Sequence, residues 1–102
     1  MFMTPKQVDA IAAYFSNTAV IAVYLFGSYA RGDADERSDV DLLVETDCAS
    51  RAWLDVALAR RELSERLGLP VDLFEQHKIR KYARAGVWHD RLLIYERPSR
   101  QH

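Results

Sequence analysis

An unbroken apolar run, Val20-Ile21-Ala22-Val23-Tyr24-Leu25-Phe26, ends abruptly at Gly27 and constrains the fold of this chain more than any other feature. Its β-branched and aromatic residues have no alternating polar positions, which suits a central strand covered on both faces. Other elements must therefore flank it. Even with Ala19 included, the run is far too short to cross a bilayer as a helix.

The flanking sequence supplies those elements. Thr4 and Pro5 form an N-cap followed by proline at the first helical position. Val8, Ile11, Ala12 and Phe15 then carry the spacing of one buried helical face, and Asn17 and Thr18 end it. Asp39 to Val44 reads as a second strand. Asp47 or Ser50 is positioned to cap a long helix reaching about Leu67, with Trp53, Val56, Ala57, Leu63 and Leu67 turned inward. Glu62 and Arg66 make a favourable i, i+4 pair on its wet side. Gly68 ends that helix and Pro70 prevents its resumption. Val71 to Phe74 is a short strand, Ile79 to Ala85 a basic and weakly helical stretch, and Leu92 to Tyr95 a last strand. The order predicts an α/β (α+β) fold: a small mixed sheet with helices packed on it and a small C-terminal appendage.

A chain of 102 residues fits one domain spanning residues 1–102, and 49% hydrophobic residues is enough for one compact core. A domain this small buries a modest share of its surface, so support from a homo- or hetero-oligomeric partner is a reasonable expectation. The apolar residues crowded into Val87, Trp88 and Leu92 to Tyr95 offer surface for such a contact. One cysteine, Cys48, excludes an internal disulfide and suits a reducing cytoplasm. The N-terminus lacks the basic-then-apolar pattern of a signal peptide.

The net charge of -1 argues against retention on nucleic acid by bulk electrostatics. Its distribution is uneven. Asp33, Asp35, Glu36, Asp39, Asp41, Glu45 and Asp47 face one base, Arg37, whereas Lys78, Arg80, Lys81, Arg84, Arg91, Arg97 and Arg100 dominate the C-terminal part. Most of these are ordinary solvated charges, but the acidic cluster contains a chemical pattern.

Residues i and i+2 of a strand share a face, roughly 7 Å apart at Cα, so Asp39 and Asp41 lie together while Val40 and Leu42 pack the other way. Two such carboxylates repel unless a cation lies between them, and a hard, oxygen-seeking cation such as Mg²⁺ removes the conflict. Gly27-Ser28 follows the apolar strand; glycine allows close approach of a phosphate, and the next residues can open a short helix with free N–H groups. No Lys-Ser or Lys-Thr follows, which excludes a Walker-type loop. Asp72, between Val71 and Leu73, turns away from their core side and becomes a third carboxylate if its strand lies beside the Asp39–Asp41 strand. Each element alone is weak. Together they predict two-metal phosphoryl transfer, with Gly27 and Ser28 on the outer phosphates, Asp39 and Asp41 on the metal ions, and Asp72 on the attacking hydroxyl.

Leu25-Phe26-Gly27-Ser28-Tyr29-Ala30-Arg31-Gly32, followed by Ser38-Asp39-Val40-Asp41-Leu42-Leu43-Val44, resembles the signature of the DNA polymerase β-like nucleotidyltransferase superfamily, in particular its minimal (MNT) branch. Asp72 matches the place of the family's third carboxylate, and the resemblance covers roughly residues 5 to 96. It implies Mg²⁺-dependent transfer of AMP from ATP to a hydroxyl, with two ions on Asp39, Asp41 and Asp72. It also implies a HEPN-domain toxin as partner, modified on a tyrosine by its antitoxin. Two alternatives stand beside this: a non-catalytic module that neutralises its partner by covering it, and an enzyme acting on a small molecule or an RNA end.

Arg31 has the best claim by position among the cations that could help bind the triphosphate, ahead of Arg37, Lys78, Arg80 and Lys81. His77 and His89 lack ligand-like spacing, and Cys48 lacks an assignable base, so surface or structural roles fit all three.

Overall fold

The computed structural model describes residues 1–18, 20–46, 55–75 and 91–98. The expected Asp47 or Ser50 cap, Trp53, the Ile79–Ala85 stretch, Cys48, His77, Lys78, Arg80, Lys81, Val87, Trp88 and His89 lie outside these residues.

Helix α1 spans Pro5–Phe15 and opens as its sequence predicts. The Thr4 hydroxyl accepts from Gln7 N at 3.1 Å, while the Gln7 side chain accepts from Thr4 N at 2.8 Å. This reciprocal box satisfies two donors that a helix start leaves without partners. Ile11 and Phe15 are fully buried, and Val8 and Ala12 are half-buried beside them. The helix ends at Phe15 with Ser16 as its cap, slightly before Asn17.

Strand β1 (Val20–Phe26) leads into a single helical turn, α2 (Ser28–Arg31), and strand β2 (Val40–Thr46) follows. Helix α3 (Val56–Leu67) precedes β3 (Val71–Glu75), and β4 (Leu92–Glu96) is the last strand. The sheet order is β3-β2-β1-β4, with β2 and β3 parallel and the other two pairings antiparallel. The apolar run thus occupies a central strand, and the sheet is mixed. The last strand is no appendage: β4 pairs along β1 and completes that side of the described sheet.

Helix α3 begins later than its sequence suggests. Asp55 has extended backbone and its carboxylate accepts from Leu58 N at 3.0 Å, so the helix starts at Val56 and cannot run unbroken from Asp47 or Ser50. Ala59 and Leu63 are its buried residues, whereas Ala57 is exposed. Glu62 and Arg66 both turn to α1 rather than forming a solvated pair: Tyr14 Oη donates to Glu62 at 2.8 Å, and the Arg66 guanidinium lies 5.1 Å from the Tyr14 ring centre.

The main core joins the helices to one sheet face through Ile11, Phe15, Val23, Leu25, Val40, Leu42, Val44, Leu63, Val71 and Leu73. The opposite face centres on buried Leu43, flanked by Tyr24, Phe26 and Phe74. Strand alternation then places Asp41 with Leu43, and Asp72 with Phe74, on the face turned away from α1 and α3.

Candidate active site

The parallel register pairs Asp41 directly with Asp72. Val40 N donates to Pro70 O at 2.8 Å, and this contact at the mouth of both strands sets that register. On the helix side, Ser64 Oγ donates to Arg60 O at 2.8 Å and accepts from Val71 N at 3.1 Å, tying the first residue of β3 to α3. Val71 and Leu73 point into the core, so Asp72 must project from the other face.

Asp39 arrives from the loop before β2. That loop is held by its own polar groups: the Asp35 carboxylate accepts from Arg37 N at 2.8 Å, and Ser38 Oγ accepts from Asp35 N at 2.9 Å. Such side-chain-to-backbone turns fix a loop without a hydrophobic anchor. Asp39 itself is exposed. The hollow lined by Met1 and Ala34 to Arg37 flanks this loop rather than enclosing the acids.

Gly27 meets Asp41 from the adjacent strand end. Its φ of 74° and ψ of -153° lie in a region essentially reserved for glycine. A Cβ placed there would stand 2.5 Å from Asp41 Oδ2. The glycine therefore does two things: it turns the chain into α2, and it makes room for a carboxylate. Only the first of these was legible from a Gly-Ser after a strand. Arg31 Nε pairs with Asp33 at 3.2 Å in an exposed contact, so its guanidinium is not committed to the acids.

Burial first, and then the charges of Asp72 and Asp39, together push the Asp41 carboxyl up to about 6, while Arg31 pulls it back. Asp41 thus lies close enough to feel both of the other acids. Negative charge concentrated on oxygen donors is the chemistry that a hard divalent cation relieves, and the donor set fits Mg²⁺. No three acidic, histidine or cysteine groups among the described residues already form a ready-made ligand set. Asp72 also has a cationic neighbour from α3: its Oδ1 lies 3.6 Å from Arg60 Nε. Arg60 was missed because one arginine in a helix looks like any other until the helix is set against its strand.

Residues 9–100 match the family described as polymerase β, nucleotidyltransferase. The chain belongs to that family. A protein of Methanocaldococcus jannaschii named as a candidate protein adenylyltransferase is 40% identical over 78 residues, covering 74% of this nucleotidyltransferase and 76% of the relative. A solved candidate minimal nucleotidyltransferase superposes with a TM-score of 0.71 at 31% identity, over 85% of this chain and 88% of its own. A chain from the complex of a tri-AMPylated Shewanella oneidensis HEPN toxin with an MNT antitoxin superposes with a TM-score of 0.64, over 92% of this nucleotidyltransferase and 73% of that chain. At 19% identity that last likeness is one of fold.

Proposed function

We propose that this nucleotidyltransferase is a single minimal domain that moves AMP from ATP to a tyrosine hydroxyl of a HEPN-type toxin, as the antitoxin of a cytoplasmic pair. The observation that carries the catalytic part is the Asp41–Asp72 pairing in register, with Gly27 closing on Asp41. The candidate protein adenylyltransferase relative supports a protein acceptor. The shared fold with a chain of the AMPylated-toxin complex supports the class of partner.

Each residue has a part in this reading. Gly27 and Ser28 hold the outer phosphates, where the glycine keeps the backbone open and the start of α2 offers N–H groups. Arg31 adds positive charge beside them. Asp39, Asp41 and Asp72 would hold two Mg²⁺ ions, which when bound would offset the triphosphate charge and polarise the reacting oxygens. Asp72 orients the acceptor hydroxyl and takes its proton. The freed oxygen forms a bond to the α-phosphorus; the bond from that phosphorus to the bridging oxygen breaks, and pyrophosphate leaves with the electron pair.

Incubating the chain with ATP, Mg²⁺ and the toxin encoded beside it should add AMP-sized mass increments to the toxin. Asp39→Asn combined with Asp41→Asn should abolish them. Unchanged increments from the double variant would remove the metal assignment.

A second reading has its own support: the Asp72 carboxylate faces Arg60. On that reading the chain neutralises its partner by covering it. The same double variant would then still form the complex and still protect cells.

A further inference from the structure

Arg60 sits on α3 and reaches over the described edge of the sheet to β3. Its Nη2 donates to Leu73 O at 3.1 Å. Its Nε is buried, has no hydrogen-bond partner among the described residues, and lies 3.6 Å from Asp72 Oδ1. A buried N–H donor left without an acceptor is costly, so its presence needs a reason. The distance is just beyond a hydrogen bond, and a small rotation of the carboxylate would close it. The guanidinium is planar and its two donors are fixed relative to each other, so anchoring one edge on the backbone fixes the direction of the other. The backbone on that side is itself held, because Ser64, one helical turn further along, binds both Arg60 O and Val71 N.

We propose that Arg60 is the positioning residue of Asp72: anchored on the Leu73 carbonyl, it presents a fixed cationic donor that holds the third carboxylate at one angle beside Asp41. The proposal rests on the reading of Asp72 as a metal-holding carboxylate. On this proposal Arg60 acts through Asp72 and not on the nucleotide or the acceptor. It acts by restricting where the Asp72 oxygens can go, and without it that carboxylate would swing between its neighbours and solvent. Groups that orient a metal-holding carboxylate typically change metal affinity or activity by about 10- to 100-fold when removed.

The test uses the full chain with Mn²⁺ and a non-hydrolysable ATP analogue, followed by calorimetry, together with AMP transfer to the toxin. Arg60→Met keeps the stem and removes the fork; Arg60→Lys keeps a charge but not the fork, and it disturbs folding least. Both should weaken Mn²⁺ binding to the analogue complex by about tenfold or more. Both should lower kcat for transfer with little change in KM for ATP; because partial unfolding would lower apparent kcat in the same way, rates are compared well below each variant's melting temperature. In an Asp72→Asn background, either substitution should have almost no further effect, because the group it positions is gone. Wild-type Mn²⁺ affinity and kcat in Arg60→Lys would overturn the proposal, as would losses that simply multiply with those of Asp72→Asn. If Asp72→Asn alone bound Mn²⁺ and transferred AMP as the wild type does, the third-carboxylate reading would fall, and this proposal with it.

Discussion

Gly27 and Asp41 are packed so tightly that no side chain fits between them: a Cβ on residue 27 would lie 2.5 Å from Asp41 Oδ2. The glycine backbone also holds a conformation that L-residues avoid. Gly27→Ala should therefore destabilise the protein by about 2 kcal/mol from backbone strain, with an additional loss from the displaced carboxylate. Urea unfolding of Gly27→Ala in wild-type and Asp41→Ala backgrounds checks this. The penalty should be smaller where the carboxylate is absent, and equal penalties would mean that the clash contributes nothing.

The Asp41 carboxyl is neutral more readily in the folded protein than in the unfolded chain, because its value rises from 3.8 to about 6. A group raised in this way contributes stability that is fully present below about pH 4 and is lost as pH climbs through about 6. Above that point the ionised carboxylate destabilises the metal-free fold. Asp41→Asn should thus melt at a higher temperature than wild type in EDTA at pH 7 to 8, with the gap closing toward pH 4. Melting curves across that range decide the matter, and a gap of constant size would contradict it.

Tyr14 ties α1 to α3. Its hydroxyl is pushed up to about 12, first by burial and then by the hydrogen bond to Glu62. The stability it contributes is complete below pH 10 and disappears between about 10 and 12. Tyr14→Phe should cost about 1 kcal/mol at neutral pH, and the wild type's advantage should shrink as pH rises past 10. Denaturant unfolding of both proteins at pH 7, 9 and 11 measures it.

Ser64 serves the site at a distance. Ser64→Ala removes the acceptor for Val71 N and leaves a part-buried donor unsatisfied, at about 1–3 kcal/mol. Because Val71 opens the strand that carries Asp72, nucleotide transfer should fall more than the stability loss alone explains. Comparing kcat well below the variant's melting temperature separates the two effects.

Much of the fold was legible because local chemistry and tertiary demand agree. Thr4-Pro5 opens α1 as written, the apolar run from Val20 to Phe26 lies in the middle of the sheet, and Asp72 projects opposite to Val71 and Leu73. The readings that needed correction involve choices among near-equals. Several residues before Val56 could cap a helix, and only the extended backbone of Asp55 selects one. Ala57 and Ala59 are equally apolar, and only the rotation of α3 against β3 decides that Ala59 is buried. Arg60 and Arg61 are adjacent and chemically alike, yet one reaches Asp72 and the other is exposed. Periodicity cannot see such rotations, because they are fixed by packing between segments.

The parallel pairing of β2 with β3 has a consequence for how the chain matures. Two of the acids precede the helical crossover and the third follows it, so every N-terminal fragment that stops short of β3 carries an incomplete set. On the proposed assignment, chemistry at this centre has to wait for the crossover to close, and a nascent chain still leaving the ribosome would hold ATP and metal poorly until β3 had paired with β2.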